Sequence, residues 1–141
     1  MRLFFDTSAL IKNYIQESGS DSVESLMTEA EIIYVSSILE IETISTFKRL
    51  QIEKAITENE YKILKREFET DYNYYITADL TINVIEKAKT VIEKYYLKSL
   101  DAIHLAAATL LADEIDYFIC CDEKLLKAAE KEGIKIINPN K

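Results

Sequence analysis

Leu3-Phe4-Phe5-Asp6-Thr7-Ser8-Ala9-Leu10 reads as a buried strand that turns at once into a helix. The apolar run stops at an acidic residue, as a short strand does at its carboxyl end. Thr7 and Ser8 then offer side-chain oxygens to cap a helix through Ala9-Leu10-Ile11 to about Ile15. The same order repeats downstream. Ile32-Ile33-Tyr34-Val35 is a second apolar strand, with Ser36-Ser37 opening a helix to about Gln51. Tyr117-Phe118-Ile119-Cys120 is another, followed by a helix from Glu123 to Glu132 that Gly133 stops. Ile134 to Ile137 forms a last strand before Asn138-Pro139.

Helical patterns fill the rest. Asp21 to Ala30 places Val23, Leu26 and Met27 on one face. Thr57-x-x-Glu60 is a capping box that opens a helix to about Tyr72. Ile82 to Tyr95 carries Val84, Ile85, Ala88, Val91 and Ile92 at helical spacing, and Ser99-Leu100-Asp101 opens an apolar helix to Ala112. The segment holding Tyr72, Tyr74 and Tyr75 matches neither period. Strands alternating with helices predict an α/β fold, a small parallel sheet flanked by helices on both faces.

A chain of 141 residues with 48% hydrophobic content predicts one domain, residues 1–141, with a genuine core. Two Gly and one Pro are too few turn formers for a sandwich or barrel. Lys plus Arg number 17 against 25 Asp plus Glu, a net charge of −8, which excludes binding of polyanions by bulk charge. A nucleic-acid role therefore needs cations in the site or a local basic patch. The longest nearly apolar stretch, Ala102 to Ala112, covers 11 residues, short of a bilayer span. Asp6 interrupts the amino-terminal apolar run before a signal-peptide core develops. The adjacent Cys120 and Cys121 suit neither a disulfide nor a metal knuckle. A soluble cytoplasmic protein is expected.

In parallel α/β folds ligands sit beyond the carboxyl ends of the strands. Asp6 and Asp122 each follow a strand there, and Asp101 lies at a helix start, where the macrodipole favours an anion. Glu40 and Glu42 follow the second strand on a helix. At ~100° per residue they point about 160° apart, so one of them faces the rim. Taken singly, each aspartate reads as a helix cap or solvated turn. Together they form an acidic set without matching cations, and a like-charged pair at ~4 Å costs on the order of 4 kcal/mol at an effective dielectric near 20. A hard divalent cation relieves such crowding, and carboxylate–metal sites commonly hydrolyse phosphate esters. Spacing alone leaves the metal site and scattered surface carboxylates both open.

Phe4-Phe5-Asp6-Thr7-Ser8-Ala9-Leu10 resembles the opening motif of PIN-domain nucleases. Val35-Ser36-Ser37 running to Glu42 and Arg49 resembles their second motif, and Leu97-Lys98-Ser99-Leu100-Asp101-Ala102-Ile103-His104-Leu105-Ala106 the third. Ile119-Cys120-Cys121-Asp122 with Leu125, Ala128-Ala129, Gly133 and Pro139 is similar to the fourth motif and closing strand. The motifs run in order across nearly the whole chain, and its length fits the compact VapC-type toxins of toxin–antitoxin pairs.

The resemblance implies a metal-dependent endoribonuclease that leaves 5′-phosphate and 3′-hydroxyl ends. Its acidic quartet would be Asp6, Glu42, Asp101 and Asp122, serving as catalytic residues and as ligands of Mg²⁺ or Mn²⁺. The family pattern selects Glu42 over Glu40. The helix phase agrees with that choice: Ser45 and Arg49 share the Glu42 stripe, while Glu40, Lys48 and Gln51 read as a solvated face. RNA as substrate, a VapB-type antitoxin with a basic segment and a homodimer are further implications. A noncatalytic PIN scaffold and a free-standing RNA-processing nuclease are the alternatives. Thr7 or Ser8 can cap the helix or bond Asp6, Lys98 and Arg49 can meet RNA phosphates, and His104 reads as structural. Cys120 stands where the family usually has Thr or Ser, a weaker partner for orienting Asp122. A phosphoacceptor domain would need paired acids at the first strand end, and an aspartyl phosphatase would need Asp-x-Asp; the chain has neither.

Overall fold

A computed structural model describes residues 1–141. Strand β1 (Arg2–Phe5) lies at the centre of a five-stranded parallel sheet. On one side it pairs with β2 (Ile32–Ser36), which pairs with β3 (Ile76–Ala78); on the other with β4 (Tyr117–Ile119), then β5 (Ile136–Ile137). The helices are α1 (Thr7–Leu10), α2 (Ser20–Glu29), α3 (Ile38–Ile52), α4 (Glu58–Tyr72), α5 (Ile82–Tyr95), α6 (Ser99–Leu110) and α7 (Glu123–Lys131). No helix is long and apolar enough to cross a membrane.

Side chains alternate along β1, and both faces are covered. Leu3 and Phe5 enter a layer built with Leu10, Val23, Leu39, Phe47 and Phe68 from α1 to α4. Phe4 enters the opposite layer, with Phe118 and residues of α5, α6 and α7. The alanines of α6, Ala102, Ala106, Ala107 and Ala108, are buried there and allow close helix packing. Doubly covered strands carry no polar alternation, which is why β1, β2 and β4 read as unbroken apolar runs.

Four expectations need correction, and one open segment is resolved. Asp6, not Thr7 or Ser8, caps α1, and the helix tightens into a 3-10 turn over Ile11–Asn13 instead of reaching Ile15. There Tyr14 turns onto the edges of Phe47 and Phe68 and its hydroxyl donates to Asp71 at 2.6 Å. That tertiary contact overrides the helical pattern. The unassigned tyrosine segment ends α4 and leads into β3, an edge strand of three residues whose Ile76 is half exposed. So short and half-solvated a strand has no apolar run to mark it. The last strand shrinks to Ile136–Ile137 and α6 stops at Leu110, shifts of the size that frayed ends show. Gly133 does end α7, at φ +83, where a side chain would be strained.

Glu132, just beyond α7, ties that helix to α5. It accepts from Lys87 at 2.7 Å, from Lys94 at 3.4 Å and from the Tyr95 hydroxyl. The Lys87 and Tyr95 hydrogen bonds lead in holding its carboxyl down, to about 2. A lowered carboxylate adds stability above its unfolded value and loses it as pH falls through the folded one. Glu132→Gln is therefore expected to lower stability by about 1–2 kcal/mol at neutral pH. Denaturant titrations check this, with the gap closing as pH falls from 4.5 toward about 2.

Candidate active site

The chain moves outward from β1 to β2 and β3, then returns to place β4 on the other side, so the strand order reverses between β1 and β4. Such a switch point opens a crevice at the carboxyl end of the sheet. Asp6 stands at its floor. Its N–H still bonds the Ile119 carbonyl at 3.1 Å, and its carboxylate accepts from Ala9 N at 3.0 Å and from the Ser8 hydroxyl at 2.8 and 2.9 Å. Asp6 is 3% exposed. Burial pushes its carboxyl above the ordinary range, outweighing the attraction of His104 and the hydrogen bonds from Ser8 and Ala9.

Asp122 follows β4 and caps α7, accepting from Leu125 N at 2.8 Å. Cys120 does not hold this carboxylate. Its sulfur accepts from the Asp122 backbone N–H at 3.3 Å, so the thiol shapes the turn and the α7 amide orients the side chain. Asp101 sits in the first turn of α6, half buried. Its carboxyl is raised first by burial, then by Asp122 and Glu42, with His104 and Lys98 opposing.

Helix α3 brings Glu42 to the same crevice and leaves Glu40 exposed. Glu42 Oε1 accepts the Thr7 hydroxyl at 2.7 Å and lies 2.6 Å from His104 Nε2. Burial would raise this carboxyl, yet the hydrogen bond and charge of His104 and the bond from Thr7 leave it lowered. Thr46, Arg49 and Leu50 share its side of α3, whereas Ser45, assigned to that stripe from sequence, is exposed. The expected solvated face is real: Lys48 is exposed and donates to Gln51 at 2.8 Å.

These groups surround a cavity of about 560 Å³ lined by Asp6, Glu42, Asp101 and His104, with Ile11, Ile15 and Leu50 as an apolar wall. Asp122 is exposed and lies outside the cavity lining, its charge acting on Asp101. No lysine or arginine pairs with any of the four carboxylates: Lys12 is bound to Glu17 and Arg49 to Glu53. No three carboxylate, imidazole or thiol groups stand close enough to enclose one ion. The donors are nevertheless all hard oxygens on one acidic rim, the set that suits Mg²⁺ or Mn²⁺.

Sequence reading missed Lys12, which lines the cavity at 8% exposure, its ammonium on Glu17 at 3.0 Å and on the Ser18 carbonyl at 2.6 Å. Nothing in the local pattern distinguishes it from a surface lysine. His104 is buried, as a structural residue would be, but its ring is bonded into the acidic site and not only packed in the core. Lys98 lies outside the cavity lining, at the start of α6.

The family model for the PIN domain matches residues 3–131, from β1 to the end of α7. The chain belongs to the PIN-domain family. The chain is 24% identical over 134 residues to ribonuclease VapC45 of Mycobacterium tuberculosis (strain CDC 1551 / Oshkosh), covering 95% of this chain and 93% of that protein. Among solved structures it resembles a toxin–antitoxin complex from Klebsiella pneumoniae, with 18% identity, a TM-score of 0.70 and 97% of each chain covered. It likewise resembles FitAcB from Neisseria gonorrhoeae, with 14% identity, a TM-score of 0.72 and 97% of each chain covered. At these identities the structural likeness shows the fold alone.

Proposed function

We propose that this PIN domain is an endoribonuclease working with Mg²⁺ or Mn²⁺, and the toxin of a type II toxin–antitoxin pair. The observation that carries the reading is the convergence of Asp6, Glu42 and Asp101 on one cavity with no lysine or arginine bound to them. Similarity to a ribonuclease over nearly the whole chain supports it. Asp6, Asp101 and Asp122 would hold the cation, with Glu42 as a further ligand or as the group that orients the attacking water. When bound, a divalent cation supplies positive charge against the phosphodiester and acidifies a water.

The chain's own residues do the rest. Ser8 and the Ala9 amide keep Asp6 in one rotamer, and the Leu125 amide does the same for Asp122. Ile11, Ile15 and Leu50 exclude water on one side, leaving Arg49 at the rim to meet the RNA backbone. With a net charge of −8, the protein would take a small exposed RNA segment and not coat a duplex. The same acidic cavity suits a basic antitoxin segment, whose Arg or Lys would pair with the carboxylates. A homodimer is part of this reading.

The test is cleavage of a structured RNA panel by the purified protein. Mn²⁺ or Mg²⁺ is expected to support cleavage and EDTA to stop it; rapid cleavage in EDTA would overturn the metal reading. Glu42→Gln is expected to lower the rate about ten- to hundredfold, while Glu40→Gln, on the exposed side of α3, stays near the parent. Equal losses would mean that α3 does not act through Glu42.

A further inference from the structure

Glu42 is gripped through one of its two oxygens. Oε1 takes the Thr7 hydroxyl at 2.7 Å and sits 2.6 Å from His104 Nε2, while Thr7 Oγ1 and His104 Nε2 are 3.2 Å apart. The three groups come from α1, α3 and α6, so the contact joins elements from both layers of the fold. Oε2 receives no hydrogen bond from the protein, and Glu42 lines the cavity. His104 is 2% exposed, and its Nδ1 is buried without a partner.

That unpartnered nitrogen defines the ring's task. With the proton on Nε2, the imidazole donates to Glu42 and Nδ1 remains a bare acceptor. With the proton on Nδ1 instead, a donor would be buried with nothing to receive it, and the Nε2 lone pair would face a carboxylate oxygen. A glutamate turning about three side-chain torsions needs such a fixed donor to keep one oxygen aimed at the cavity.

We propose that His104 is a positioning residue for Glu42, its Nε2–H and the Thr7 hydroxyl pinning Oε1 so that Oε2 faces the reacting groups. The assignment rests on the nuclease reading of the cavity, and it adds an imidazole to the acidic quartet. Groups that orient the ligands of a metal site in this way are typically worth about ten- to hundredfold in affinity or rate.

His104→Leu removes the donor and keeps much of the bulk, whereas His104→Gln returns an N–H near the place of Nε2. The leucine variant is expected to lower kcat about ten- to hundredfold with KM little changed. It should also weaken Mn²⁺ binding, read by electron paramagnetic resonance without RNA. The glutamine variant is expected to recover most of both. In a Glu42→Gln background the leucine substitution should add little, because the two act as one unit. His104 is the chain's single histidine, so the imidazole ¹⁵N spectrum of the metal-free protein reports it alone, with the proton expected on Nε2. Should His104→Leu not fold, His104→Asn, whose amide ends near the place of Nδ1, takes its part with the same expected loss. A proton on Nδ1 alone overturns the proposal. So does parent-like kcat and Mn²⁺ affinity in the leucine or asparagine variant, a loss that glutamine does not relieve, or full additivity with Glu42→Gln. A parent protein that cleaves no RNA overturns the nuclease reading alone, and the proton position then decides the role of His104.

Discussion

Asp6→Asn is expected to fold normally and to lose RNA cleavage by about a thousandfold, the several kcal/mol that a correctly held cation contributes. Asparagine caps helices as well as aspartate, so the bond to Ala9 N and the start of α1 survive the change. What disappears is a charge with 3% exposure and no lysine or arginine beside it. Burial already raises the Asp6 carboxyl, so removing its charge relieves the metal-free fold at neutral pH. Single-turnover cleavage rates and metal-free melts on the same preparation separate the two effects. Activity within about tenfold of the parent would remove Asp6 from the reaction, and a collapsed melt would make it a structural cap.

Asp101→Asn is expected to show the opposite responses of fold and function most clearly. Asp101 has no hydrogen-bond partner in α6 and stands near Asp122 and Glu42, so its charge serves no helix cap. Its carboxyl is raised above 3.8 by burial first and by those two acids next. The folded state then holds more protons than the unfolded one. That contribution to stability is full below 3.8 and fades as pH rises through the folded value. The metal-free parent should therefore lose stability over that range, and the asparagine variant should lose less. Glu42, held below its ordinary 4.5, works in the other direction and loses its contribution as pH falls. At neutral pH without metal, Asp101→Asn is expected to be at least as stable as the parent. With Mn²⁺ the order reverses: at about a hundred times Kd the parent gains ~2.7 kcal/mol by mass action, and the variant gains much less. Thermal melts with and without Mn²⁺ check both halves. Destabilisation of the metal-free variant by more than ~1 kcal/mol would make Asp101 a helix cap.

The acidic positions were legible because they sit where apolar periodicity ends. Asp6 follows β1 directly and Asp122 follows β4 after Cys120 and Cys121, and parallel strands bring both to the same rim. The phase of α3 required that one of Glu40 and Glu42 face the rim, and the resemblance to PIN domains chose Glu42; Glu40 is indeed exposed. The capping box at Thr57 and Glu60 and the whole span of α5 also follow from local chemistry, since caps and amphipathic stripes act within a turn or two.

His104, Lys12 and β3 were not legible, each for a reason of distance. His104 meets Glu42 across 62 residues of chain, and the bond exists only because α6 and α3 both reach the crevice. Lys12 is buried by a turn that Tyr14 fixes against Phe47 and Phe68, partners far along the chain. β3 exists through its pairing with β2, since three residues at a sheet edge carry no pattern of their own. Fold class and the candidate acids thus come from periodicity and from residue types, which are local quantities, and the resemblance to PIN domains selected the quartet among them. The pinning of Glu42, the burial of Lys12 and the edge strand come from contacts between distant segments, whose energies no window of sequence contains.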